Sequence, residues 1–135
     1  MDFFNPQLIQ HTPPAIVTIV DDAGGEFYEY MLRMNKYRTS GAQVALIKCR
    51  SACTMALSLP NVCVYPHSVL KFHAAYYEDS KHIAERETKI LFNMYPVAVQ
   101  QKLGSLEREF KTLTGKQLIQ LGVRSCSLVA KADRS

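Results

Sequence analysis

The sequence predicts an α/β domain with a largely parallel sheet and a helical C-terminal part. Two buried β-branched runs, Ala15-Ile16-Val17-Thr18-Ile19-Val20 and Val44-Ala45-Leu46-Ile47, flank a segment with apolar residues at helical spacing. A strand, a helix and a second strand in that order form a βαβ unit, whose strands lie parallel and are covered on their faces. With 135 residues, 47% of them apolar and 21% charged, the chain has the size of one domain with one core.

Residues 1–14 contain Pro6, Pro13 and Pro14 and read as an extended arm, so that residues 15–135 form the domain. The first strand covers 15–20, buried on both faces, and ends at Asp21-Asp22-Ala23-Gly24-Gly25. Phe27, Tyr30, Met31 and Met34 then mark a helix over 26–37, closed by Thr39-Ser40-Gly41. The second strand runs through Lys48-Cys49-Arg50 into Ser51-Ala52-Cys53-Thr54-Met55-Ala56-Leu57, a short apolar helix stopped at Pro60-Asn61. Brief strands follow over 62–65 and 69–72, and helices over 80–94, 97–113 and 115–121. Thr114 and Gln117 supply a capping box for the last helix and Gly122 its stop.

Composition excludes several classes of function. The net charge of +4 comes from 16 basic residues spread among 12 acids, without a basic block, so nucleic acid is not an expected partner. No apolar run approaches the roughly 18 residues of a membrane helix, and Met1-Asp2-Phe3-Phe4-Asn5-Pro6 lacks a signal-peptide pattern, so a cytoplasmic protein is expected. Cys49, Cys53, Cys63 and Cys126 form no CxxC pair; they read as free thiols in a reducing compartment, and neither a metal nor a cofactor is expected.

The residues with chemistry to offer fall at strand ends, where open α/β sheets bind ligands. Gly24-Gly25 follows the first strand and can bring backbone amides close to a substrate, or can serve only as a turn. Ser51 opens a helix beside free N–H groups, which suits either a nucleophile or an N-cap. His73 ends the run Val69-Leu70-Lys71-Phe72 and reads alone as a base or as a packed structural residue. Cys53 is a rival nucleophile, directed elsewhere on the helix.

The series Asp22-Ala23-Gly24-Gly25, then Ser51-Ala52-Cys53-Thr54, then Tyr65-Pro66-His67-Ser68-Val69-Leu70-Lys71-Phe72-His73 resembles the proteolytic subunit of Clp proteases and its shorter Clp-like relatives in the ClpP/crotonase superfamily. The likeness runs from about Ile16 to Ala75. Weaker likeness follows: residues 82–94 resemble the family's long ring-contacting helix, and 113–123 its closing segment. It implies a serine peptidase in which Ser51 is the nucleophile, His73 the base, and the Gly25 and Ala52 amides the oxyanion hole. The implied partners are a peptide or unfolded protein as substrate, further copies of the chain in a homo-oligomer, and an ATP-dependent unfoldase on a separate chain. Apolar residues around Ile83, Ile90, Leu91 and Met94 also favour self-association.

Two departures accompany the likeness. The family's first strand and helix are replaced by the Pro-rich arm, and alignment of the closing segment puts Phe110 where the triad acid belongs. Glu109 is the nearest substitute, with Glu107 and Glu78 as other carboxylates. A catalytically inactive Clp-like binding or assembly module is therefore the alternative, and the acyl-coenzyme A chemistry of crotonase relatives a third.

Overall fold

The computed structural model describes residues 16–126; the Pro-containing arm lies outside them. Four strands form one sheet in the order β1 (Ile16–Asp22), β2 (Gln43–Arg50), β3 (Val62–Phe72), β4 (Lys111–Thr114). The first three are parallel and β4 runs antiparallel to β3. Helix α1 (Phe27–Ser40) crosses from β1 to β2, and a 3-10 helix (Ser51–Ser58) links β2 to β3. Helices α2 (Glu85–Met94), α3 (Val97–Leu103) and α4 (Gly115–Gln120) follow. The chain is thus mixed α/β with a mostly parallel sheet.

The 3-10 helix is built from small apolar residues, and Ala52, Cys53, Met55 and Ala56 are all buried. A helix without a polar face must sit inside the fold, and α1 and α2 pack against it. Met34, Leu46, Met55, Leu70, Phe72 and Leu118 are the largest fully buried apolar side chains of the core.

Several expectations are corrected. The 62–65 and 69–72 strands are one strand with a shift of register, since Val64 pairs with Leu46 but Val69 with Lys48. Pro66 has no N–H for the ladder. Ser68 fills the gap: its Oγ donates to the Leu46 carbonyl at 2.6 Å and accepts the Tyr65 N–H at 2.8 Å.

The helix expected over 97–113 stops at Leu103, where Gly104 takes φ +76°, and the chain then turns into β4. Leu113 is buried between exposed Thr112 and Thr114, the two-residue alternation of a strand. The first strand is an edge strand, not one covered on both faces; Ile16 and Val20 are 68% and 62% exposed. The capping box of α4 forms as read, with Gln117 N–H donating to Thr114 Oγ1 and Thr114 N–H to Gln117 Oε1.

The four cysteines are not free thiols. Cys49 is bonded to Cys53 and Cys63 to Cys126. Spacing conceals the first pair, because Cys49 lies near the end of a strand and residues four apart in a strand lie far from one another; the turn from β2 into the 3-10 helix brings their Cα atoms to 5.4 Å. Cys53 is thereby removed as a rival nucleophile. No helix among the described residues is long and apolar enough to cross a membrane.

Candidate active site

Ser51 sits at the end of β2 with φ +59°, a left-handed conformation that costs an L-residue about 1–2 kcal/mol. A side chain held this way at a strand-to-helix turn is lifted out of the helix it begins. Ser51 is not an N-cap: that position belongs to Arg50, and no side-chain cap bond is made. The carbonyl of Ser51 is held by Thr54 Oγ1 at 2.6 Å, and the same hydroxyl pairs with Tyr95 OH at 2.6 Å. Since the Thr54 hydrogen goes to the carbonyl, Tyr95 donates to Thr54. Burial raises the Tyr95 pKa, the Thr54 bond opposing this, so its hydrogen stays in place.

The Gly24–Gly25 turn lies directly against Ser51. A Cβ on Gly24 would lie 2.7 Å from the Ser51 Cβ and 2.8 Å from the Arg50 carbonyl oxygen, and Gly24 has φ +88°. Its shape is set by Asp22, whose Oδ1 accepts the Gly24 N–H at 2.8 Å and the Tyr30 hydroxyl at 2.5 Å. Arg33 approaches Asp22 Oδ2 at 3.7 Å and lies over the Tyr30 ring, 4.5 Å from its centroid. Burial first, and then the bond to Asp22, raises the Tyr30 pKa. Neither the Gly25 nor the Ala52 amide donates to a turn, cap or side-chain hydrogen bond among the described residues. Both remain available to a ligand.

His73 follows β3 and is buried, 7% exposed. Its Nδ1 lies 2.6 Å from the Ala74 carbonyl oxygen. A carbonyl can only accept, so the hydrogen resides on Nδ1 and Nε2 keeps the lone pair a base needs. The Ala74 N–H is itself bonded to the Glu107 carbonyl at 2.6 Å, which docks the 104–110 loop beside the histidine. Because β3 and β4 pair with Phe72 opposite Lys111, Phe110 comes opposite His73. The two rings meet edge to face with centroids 4.6 Å apart.

Ser51, Ala52, Gly25 and His73 line one cavity of about 670 Å³, together with Phe110 and the aromatic residues Tyr28 and Tyr76. Glu109 does not line it and is exposed, whereas Glu107 is 3.6 Å from Lys111 Nζ. Glu78 is at the cavity and paired with Lys81 at 3.3 Å. No carboxylate among the described residues forms a hydrogen bond with His73. Asp22, Tyr30, Thr54 and Tyr95 escape a sequence reading as supports of the site. Only Asp22 carries a local signal, an Asp two residues ahead of a Gly, the pattern of an Asx turn.

Among the described residues no three His, Cys, Asp or Glu side chains gather as a metal site. No model of a known protein family matches the sequence, and comparison with curated proteins finds no match.

Proposed function

We propose that the protein is a Clp-like serine peptidase of the ClpP/crotonase type, with Ser51 and His73 as nucleophile and base. The observation that carries the reading is the single cavity lined by Ser51, His73 and the amide-bearing residues Gly25 and Ala52. In this mechanism Ser51 Oγ bonds to the scissile carbonyl carbon while its proton passes to His73 Nε2. The carbonyl oxygen becomes an oxyanion held by the Gly25 and Ala52 N–H groups. Collapse breaks the C–N bond, and the amine leaves with the proton from His73. Water, deprotonated by the same nitrogen, then hydrolyses the acyl ester and restores Ser51. The Ala74 carbonyl takes the orienting part of a triad acid, without the charge that would stabilise an imidazolium.

The edge-to-face contact of Phe110 with His73 favours a second reading, a Clp-like module that binds peptides or assembles without turnover. Labelling by a fluorophosphonate probe separates the two. The peptidase reading requires label on wild type and none on Ser51→Ala, with slow labelling of His73→Ala. Wild-type protein that resists the probe sinks it.

The reading includes a homo-oligomer and an unfoldase on another chain as partners. Leu91 is buried in the monomer whereas Ile83 is exposed, so self-association would draw on Ile83 together with the exposed Ile16 and Val20 of the edge strand and Leu32 of α1. For location, the disulfides outweigh the cytoplasmic expectation: such bonds persist in oxidising compartments, and the reading places the working protein in one.

A further inference from the structure

Among the described residues, the cavity that holds Ser51 and His73 is lined by aromatic rings and carboxylates but by no lysine or arginine, although the chain as a whole has a net charge of +4. Its lining includes the rings of Tyr28, Tyr76 and Phe110 and the carboxylates of Glu26, Glu78 and Glu87. Glu87 accepts the Tyr28 hydroxyl at 2.6 Å across the gap between the first turns of α2 and α1, and Glu26 accepts the Glu29 N–H at 2.7 Å. Both donors are neutral groups, so neither hydrogen bond is an ion pair. The Tyr28 bond also holds the Glu87 pKa below its usual value. Arg86 acts on Glu87 only from outside the lining.

Two of the aromatic walls already have ammonium groups nearby. Lys81 Nζ lies 5.4 Å from the Tyr76 centroid and 3.3 Å from Glu78 Oε2, and Lys71 Nζ lies 6.0 Å from the Phe110 centroid. A ring face with a carboxylate beside it is the surrounding that a lysine or arginine side chain meets favourably, through the ring quadrupole and through charge. Glu78 is neutralised by Lys81; Glu26 and Glu87 have no such partner among the described residues.

We propose that this cavity selects peptides carrying a lysine or arginine next to the bond presented to Ser51, with Glu87, Glu26 and the Tyr28 and Tyr76 rings as its specificity determinants. The inference rests on reading the cavity as a peptide site. It places acidic and plain aliphatic side chains among the poor ligands: the first are repelled by these carboxylates, and the second gain only apolar contact.

The test is fluorescence anisotropy with labelled pentapeptides that differ only at the central residue, bound to the Ser51→Ala protein so that affinity is read without turnover. Arginine and lysine peptides should bind about tenfold more tightly than the norleucine peptide, the size of one exposed ion pair plus one cation–π contact, and the glutamate peptide more weakly still. Adding Glu87→Gln should shrink the arginine-to-norleucine ratio severalfold, and raising the salt should shrink it as well. Equal binding of arginine and norleucine, or a ratio that Glu87→Gln leaves intact, overturns the proposal. Fluorophosphonate labelling of wild type is run alongside: a missing label with the preference retained removes the peptidase reading but not the selectivity, whereas label without preference does the reverse.

Discussion

Gly24 packs on Ser51 so closely that a methyl group at residue 24 would come within 2.7 Å of the Ser51 Cβ. The Gly24–Gly25 turn and Ser51 are therefore one mechanical unit, built from two strand ends that parallel pairing brings side by side. Asp22 pairs with Cys49 in the sheet register, and each strand leaves the sheet within two residues of that pair.

Gly24→Ala should accordingly damage the site more than the fold. The left-handed φ and the contact with Ser51 together cost about 1–3 kcal/mol, while the first side-chain atoms to move are those of Ser51. We expect a lowered Tm and at least a tenfold loss in fluorophosphonate labelling rate, on the scale of a small misplacement at a reacting centre. Labelling at the wild-type rate would show that Gly24 has room to give.

The two disulfides should differ in their worth. Closing the loop between Cys63 and Cys126, a separation of 63 residues, removes more chain entropy than closing that between Cys49 and Cys53, a separation of 4. The chain-entropy model gives about 4 kcal/mol for the first and about 2 kcal/mol for the second. Urea unfolding of the paired Cys→Ser variants should show the larger loss for Cys63 and Cys126. The smaller loop brackets Ser51, so Cys49→Ser with Cys53→Ser should lower probe labelling beyond what the stability change explains.

How far the sequence discloses this site depends on the range of the interactions involved. The β-branched runs gave themselves away as strands, although only the second is covered as expected and the first is a sheet edge, and Gly24-Gly25, Ser51 and His73 follow from where the strands end. Lys111-Thr112-Leu113-Thr114 did not: four residues with one buried leucine fit a helical period as readily as a strand, and only pairing with β3 decides. The cysteine bonds and the Thr54–Tyr95 contact, 41 residues apart, depend on tertiary approach and leave no local mark. Phe110 lies between these cases. The resemblance of the closing segment to Clp-like relatives put it at the place of the triad acid, but the strand pairing that sets it opposite His73, and its ring contact with the imidazole, were not legible.

The Thr54–Tyr95 pair should make the fold sensitive to alkali. The Tyr95 pKa is raised in the folded state above the ordinary 10.0, so the folded chain holds this proton more tightly than the unfolded one. Its contribution to stability is complete below pH 10 and is lost as the pH rises from there toward the folded pKa. Tyr95→Phe should flatten the fall in Tm above pH 10. Thr54→Val removes both the acceptor of the Tyr95 hydrogen and the donor to the Ser51 carbonyl, and should cost about 1–3 kcal/mol at neutral pH. A Thr54→Val protein as stable as wild type would mean that the pair is idle.

The remaining prediction is a gain of activity. The register of β3 and β4 puts residue 110 across from His73, and the Phe110 ring lies 4.6 Å away, centroid to centroid. Phe110 is 48% exposed, so its replacement leaves no sealed cavity in the core and an aspartate there is open to water. An ionised carboxylate on that side of the ring could take the Nδ1 hydrogen from the Ala74 carbonyl, now at 2.6 Å, and would stabilise the imidazolium that forms when Ser51 is deprotonated. Loss of the acid from a complete triad lowers kcat by about 10⁴. Recovery of even part of that factor would give Phe110→Asp a labelling rate at least tenfold above wild type. Phe110→Asn, which can accept the hydrogen but carries no charge, should give much less, and Phe110→Ala none. Rates that rise equally in all three would mean that the phenylalanine only blocks access. A fall in Phe110→Asp alone would show that the aspartate does not reach His73.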